Sequence, residues 1–180
     1  ARNPEAVRQI FAAKGRPADN PLIVHIAEMR ALEQVAATVP PLAEKLAERF
    51  WPGPLTMILP KRKEIPEITS GGLDTVGIRM PSHPVARALI QLSGVPIAAP
   101  SANISGYPSP TTAQHVMRDM QGKIAAVVDG GACSVGVEST VIALEPNGTV
   151  RILRPGFVTK EMLEEVAPEV TLDPAILHQL

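Results

Sequence analysis

Apolar positions recur at helical spacing from the start of the chain: Ala6, Val7, Ile10 and Phe11 form one stripe. Asn3 stands where an N-cap accepts orphan amide protons, Pro4 suits the first turn, and Gly15 ends the helix. Leu22 to Ile26 reads as a short buried strand, because its apolar run is continuous and mostly β-branched. Two helical stretches follow, the second with Leu42, Leu46 and Phe50 at four-residue spacing until Trp51-Pro52-Gly53-Pro54 stops it. Leu55 to Leu59 reads as a strand, and from Thr75 to Met80 apolar Val76, Ile78 and Met80 alternate with Thr75, Gly77 and Arg79, so one face of that strand belongs to a core.

A helix led by Pro84 points Val85, Ala88, Leu89 and Leu92 inward and returns the chain at Gly94 to a strand over Val95 to Ala99. A polar loop, Pro100 to Pro110, feeds a helix begun near Thr111 or Thr112 and ended at Gly122, and Ile124 to Val128 reads as a strand. Ser139 to Leu144 and Thr149 to Leu153 flank Pro146-Asn147-Gly148, where Asn-Gly tolerates the positive φ that a tight hairpin demands. A last short helix runs from about Thr159 to Val166. Strands alternating with helices, plus a hairpin, predict an α/β domain with a mixed, twisted open sheet and helices packed against it. The expected domain is residues 1–167, with 168–180 the start of a C-terminal linker.

Composition narrows the classes. Apolar residues make up 45% of the 180, yet no uninterrupted run approaches the roughly 20 residues a membrane span needs, so no membrane contact is expected. No charged start followed by an apolar stretch and a cleavage site marks export. One cysteine, Cys133, excludes an internal disulfide and any multi-cysteine zinc site, which fits a reducing, cytoplasmic setting. Net charge is −1 and aromatics are 3%, so polyanion binding has no long-range attraction behind it and few rings on which to stack bases.

Candidate chemistry is diffuse. Gly72 to Gly77 and Gly131 to Gly136 have P-loop glycine spacing, but Ile78-Arg79 and Val137-Glu138 stand where Lys-Ser/Thr belongs. No nucleophile elbow or His-Glu-x-x-His is present. In Lys14-Gly15-Arg16-Pro17, a flexible glycine lets two cations point into one space, as phosphates require; a basic helix end that complements the dipole has the same composition. Period two puts Thr75, Gly77 and Arg79 on one strand face, where Arg79 forks onto a carboxylate or simply meets solvent. Pro100-Ser101-Ala102-Asn103-Ile104-Ser105-Gly106 follows a strand directly, where open α/β sheets present ligands, although ordinary turns share its composition. Gly136-Val137-Glu138-Ser139-Thr140 has the same ambiguity, and His25 is a structural histidine or a ligand contact. Lys61-Arg62-Lys63 reads as a solvated turn, and Cys133 as incidental.

Taken together, Lys14-Gly15-Arg16-Pro17-Ala18-Asp19-Asn20-Pro21-Leu22, Pro100-Ser101-Ala102-Asn103-x-Ser105-Gly106 and Gly136-x-Glu138-Ser139-Thr140-Val141 resemble, in order and spacing, the YrdC-type threonylcarbamoyl-AMP synthases, over about Asn3 to Gly156. The family's Lys-x-Arg and Ser-x-Asn signature is met by Lys14, Arg16, Ser101 and Asn103. The resemblance implies a YrdC-like fold, with an ATP site using Arg16, Asn20, Thr75, Ser101, Ser109 and Arg154, and threonine contacts at His25, Arg79, Ser139 and the backbone near Ala99. It implies Mg2+ accompanying ATP, bicarbonate as third substrate, and a downstream tRNA threonylcarbamoyl transferase as partner. The family's opening strand, with its Thr-Glu-Thr-Val-Tyr-Gly-Leu motif, is not met before Asn3, so the domain is expected to be N-terminally incomplete. Two rivals stand beside this reading: a YrdC-like domain that contacts tRNA or double-stranded RNA without synthase activity, and one within a carbamoyl-transfer maturation protein that needs no free threonine.

Overall fold

The structure is a computed structural model that describes residues 1–177. Helix α1 (Pro4–Lys14) forms as its signals require: the Asn3 side chain accepts from the Glu5 and Ala6 amides, and Gly15 closes the helix at φ +61°. Strand β1 is Val24–His25, a 3-10 helix covers Met29–Gln34, and α2 (Pro41–Phe50) precedes β2 (Leu55–Pro60). Next come α3 (Glu67–Ser70), β3 (Thr75–Arg79), α4 (Pro84–Ser93) and β4 (Ile97–Ala98). Helix α5 (Ala113–Met120), capped by the Thr112 hydroxyl, leads to the hairpin of β5 (Thr140–Leu144) and β6 (Thr149–Arg154). The chain continues through α6 (Lys160–Glu164), β7 (Glu169–Leu172) and α7 (Pro174–Leu177).

Backbone pairing joins seven strands in the order β4-β1-β3-β2-β5-β6-β7. The sheet is mixed, as expected: β1–β3, β2–β5 and β6–β7 are parallel, and β1–β4, β2–β3 and β5–β6 antiparallel. One face carries Val24, Leu55, Met57, Leu59, Val76, Ile78, Ile142 and Ile152, against which Val7 and Phe11 of α1, Leu46 and Phe50 of α2 and Leu163 of α6 form the core. Alternation leaves the other face to Thr75, Gly77 and Arg79 of β3, with Thr56 and Ile58 of β2.

Three local expectations differ. Ile124 to Val128 forms no strand; Ile124 and Val128 lie exposed, because an apolar run becomes a strand only where another backbone pairs with it. Helix α4 has the predicted apolar period, but Val85, Leu89 and Leu92 face outward while Ile90 is buried and Arg87 donates to the Ala27 carbonyl. Glu169–Leu172, inside the segment read as a linker, instead extends the sheet beside β6. Residues 178–180 of that segment lie outside the described residues.

Candidate active site

Pairing register brings distant residues onto the open face of the sheet. In β1–β3, His25 pairs with Arg79, so their side chains stand side by side. In β2–β5, Thr56 pairs with Val141, and two residues before Val141 on the same face is Ser139. A bulge between Val141 and Ile142 shifts the β5–β6 register: Ile142 faces Ile152, whereas Val141 faces Arg154. The inserted residue turns Arg154, which unbroken alternation would send to the core, toward the open face.

Each side chain here is held. Arg154 donates through Nε and Nη2 to the Ser139 carbonyl at 3.0 and 2.8 Å, and through Nη2 to Ser139 Oγ at 3.0 Å. Ser139 Oγ lies 2.8 Å from Thr56 Oγ1. Arg79 Nε donates to the Gly53 carbonyl at 3.2 Å, so the Trp51–Pro54 turn orients the guanidinium as well as ending α2. Gly77 makes room for the Thr56 methyl, since a Cβ there would come within 3.1 Å of Thr56 Cγ2. On the hairpin's far side, Gly156 is tightly enclosed, because a Cβ would lie 2.6 Å from the Glu138 carbonyl oxygen and the Thr140 nitrogen.

The rest of the signature lies around the end of α1 and the Pro100–Pro110 loop, apart from Thr75. Thr75 opens β3 four residues before Arg79, about 13 Å away at the rise of a strand. The Ala99 amide donates to the Ile23 carbonyl at 3.0 Å, so the chain leaves β4 beside the start of β1 and enters the Pro100–Pro110 loop there. Lys14, 4% exposed, anchors that loop: its ammonium donates to the Ser101 and Asn103 carbonyls, and its own carbonyl accepts from the Ser105 amide at 2.9 Å. Asn103 is also buried, with Nδ2 donating to the carbonyls of Ile104 and Tyr107. Ser101 remains exposed at the mouth of a cleft of about 290 Å³ lined by Pro110, Thr111, Val128 and Cys133. The loop's far end reaches the Ser139 neighbourhood, where the Ser109 hydroxyl donates to the Glu138 carboxylate at 2.9 Å. The loop is therefore fastened at both ends.

Arg16 donates to the Pro21 carbonyl, and its Nε is buried without a partner. Asn20 lies exposed in the Pro17–Pro21 turn, its amide donating to the Pro17 carbonyl. This turn packs on the approach to β3, for a Cβ on Gly71 would meet the Asp19 carbonyl at 2.6 Å. His25 Nδ1 is a second buried polar atom without a partner. Burial, and after it the Arg79 guanidinium, push the His25 pKa down to about 4, which makes the ring neutral at pH 7.

Electrostatics give the site its character. Among the described residues, none of Lys14, Arg16, Arg79 and Arg154 has a carboxylate partner; elsewhere Arg2 and Arg87 lack one too, whereas other arginines have one, as Arg49 with Glu165. Burial lowers the pKa of Lys14, Arg16 and Arg79, with a further push on Lys14 from Arg16 and on Arg79 from Arg154. Paired cations, part-desolvated and without ion-pair partners, favour an anion beside them. Thr56, Glu138 and the Gly53 carbonyl join the site through contacts that no motif in the sequence announces. A single polar residue inside the apolar run Leu55 to Leu59 was the one available signal for Thr56.

Comparison with known proteins identifies what the chain is similar to. A protein-family model described as Telomere recombination, covering the Sua5, YciO and YrdC proteins, matches residues 1–156. The chain is 56% identical over 176 residues to a threonylcarbamoyl-AMP synthase of Pyrococcus abyssi, covering 98% of this chain and 52% of that protein. It is 52% identical over 181 residues to one of Bacillus subtilis, again covering 52% of it. The chain thus spans about half the length of these curated relatives. The crystal structure of P. abyssi Sua5 complexed with L-threonine superposes with a TM-score of 0.94 at 55% identity, over 98% of this chain and 52% of that one.

Proposed function

The chain belongs to the Sua5–YciO–YrdC family, and on that premise we propose that it forms threonylcarbamoyl-AMP and pyrophosphate from L-threonine, bicarbonate and ATP. The observation that carries this reading is the row of His25, Arg79 and Ser139 on one sheet face, with Arg154 beside Ser139 and neither arginine in an ion pair among the described residues. A relative of similar sequence and fold is named as a threonine complex, and an amino acid's carboxylate is the group such a row receives.

The chemistry needs no protein nucleophile. The threonine amine takes up bicarbonate with loss of water to give a carbamate, whose oxygen attacks the α-phosphorus of ATP and expels pyrophosphate. The task left to the protein is to hold three reactants in line and to offset the charge that grows on the phosphates. Arg79, with neutral His25 and Ser139, orients threonine. Arg16, Ser101, Ser109 and Arg154 receive the nucleotide, with Thr75 and Asn20 along its path, while Lys14 and Asn103 fix the loop that presents Ser101. Guanidinium groups and hydroxyls are a donor set for phosphate oxygens, and Mg2+ would accompany ATP as part of the substrate. The adenylate then passes to a transferase that modifies the adenosine beside the anticodon of certain tRNAs.

The test is pyrophosphate release by the full-length protein with threonine, bicarbonate or ATP left out in turn. Release should require all three. Release without threonine, or supported by carbamoyl phosphate in its place, overturns the assignment.

A further inference from the structure

We propose that Thr56 is a positioning residue that fixes the Ser139 hydroxyl as a hydrogen-bond donor, and so commits this corner of the site to a carboxylate oxygen of the substrate. The inference rests on the synthase reading and deepens it. Thr56 has no exposed surface, and among the described residues its Oγ1 has one hydrogen-bond partner, Ser139 Oγ at 2.8 Å. A buried hydroxyl proton left unpaired is costly. The Thr56 proton therefore goes to Ser139, the one acceptor within reach.

Ser139 Oγ then has no freedom left. It accepts from Arg154 Nη2 at 3.0 Å and from Thr56, which uses both lone pairs of a hydroxyl. Its own proton must point along the remaining direction, away from both. A ligand atom there has to be an acceptor, and the adjoining guanidinium groups of Arg79 and Arg154 favour an anionic one. An amide nitrogen or an ammonium group at that place would set donor against donor. Selectivity of this kind, from a polar group committed in advance, exceeds what shape alone gives.

Shape supports the same role. Thr56 Cγ2 would meet a Cβ on Gly77 at 3.1 Å, so the methyl fills the floor between Arg79 and Thr75 while the hydroxyl turns to Ser139. Valine keeps that methyl and deletes only the proton donor. Serine keeps the donor and deletes the methyl.

The experiment is calorimetric binding of L-threonine, L-threoninamide and ATP to the full-length protein and its Thr56→Val and Thr56→Ser variants. Thr56→Val should weaken threonine binding about tenfold, leave ATP binding within about twofold, and shrink the preference for threonine over threoninamide at least about tenfold. Thr56→Ser should stay within about threefold of wild type for all three ligands. Where the valine variant does not fold, Thr56→Cys, with its weak donor, carries the same expectation. Unchanged threonine affinity in Thr56→Val, an equal loss for ATP, or a serine variant as weak as the valine one overturns the inference alone. Wild-type protein that binds no threonine overturns the synthase reading and this inference with it.

Discussion

An imidazole beside a guanidinium is an awkward neighbour unless it stays neutral, and His25 stays neutral because its ring is buried next to Arg79. Its folded pKa of about 4 lies below the ordinary value of 6.5, so between these values the unfolded chain binds a proton that the folded chain refuses. Stability from this group is thus complete above pH 6.5 and is lost as pH falls toward 4, on the order of 3 kcal/mol in all. His25→Gln, which cannot charge, should show a smaller fall in Tm between pH 6.5 and 4 than wild type. Parallel curves for the two proteins would remove the buried imidazole from the account. Arg79 carries the complementary expectation: Arg79→Ala should weaken threonine binding about 10- to 100-fold, the worth of a charge-assisted hydrogen bond, with ATP binding little changed. Equal loss of both ligands would refute its assignment to threonine.

Elements enter the site through the way their ends are fastened. The Pro100–Pro110 loop is tied by Lys14 at its start and by the Ser109–Glu138 hydrogen bond at its end. Lys14→Met removes the donor for two carbonyls, so amide exchange across residues 101–107 should quicken and pyrophosphate release should fall, both read on the same preparation. Unchanged exchange would mean that the loop holds itself. Gly156→Ala should cost about 1–3 kcal/mol in a thermal melt, since its Cβ would fall on backbone atoms that cannot move aside. What the sequence made legible was local. Asn3 and Gly15 bound α1, Asn147-Gly148 turn the hairpin, and period two put Thr75, Gly77 and Arg79 on one face. What it hid depends on partners: the bulge that turns Arg154 into the site exists only in the pairing with β5. Likewise, the apolar stripe of α4 reports which residues share a side, not what that side meets.

For the molecule as a whole, the rival to small-molecule catalysis is a nucleic-acid surface, and charge placement decides between them. A binder of duplex RNA spreads cations where long phosphate backbones reach them. Here net charge is −1, and two of the three cations in the basic run Lys61-Arg62-Lys63 are already engaged. Lys61 donates to the Ile65 carbonyl at 2.9 Å, and Arg62 donates to the Glu33 carbonyl at 2.9 Å with Glu64 3.7 Å away. Of the cations without carboxylate partners among the described residues, Arg79 and Arg154 stand on one sheet face and Lys14 and Arg16 at and just beyond the end of α1. Duplex RNA should therefore bind no more tightly than the non-specific range of about 10⁻⁴ to 10⁻⁶ M at physiological salt, and should not compete with ATP. Fluorescence anisotropy with a labelled duplex measures both. Submicromolar affinity that falls steeply with salt and is displaced by ATP would mean that the cationic face serves a polymer, and the balance of function would shift from synthesis to RNA binding.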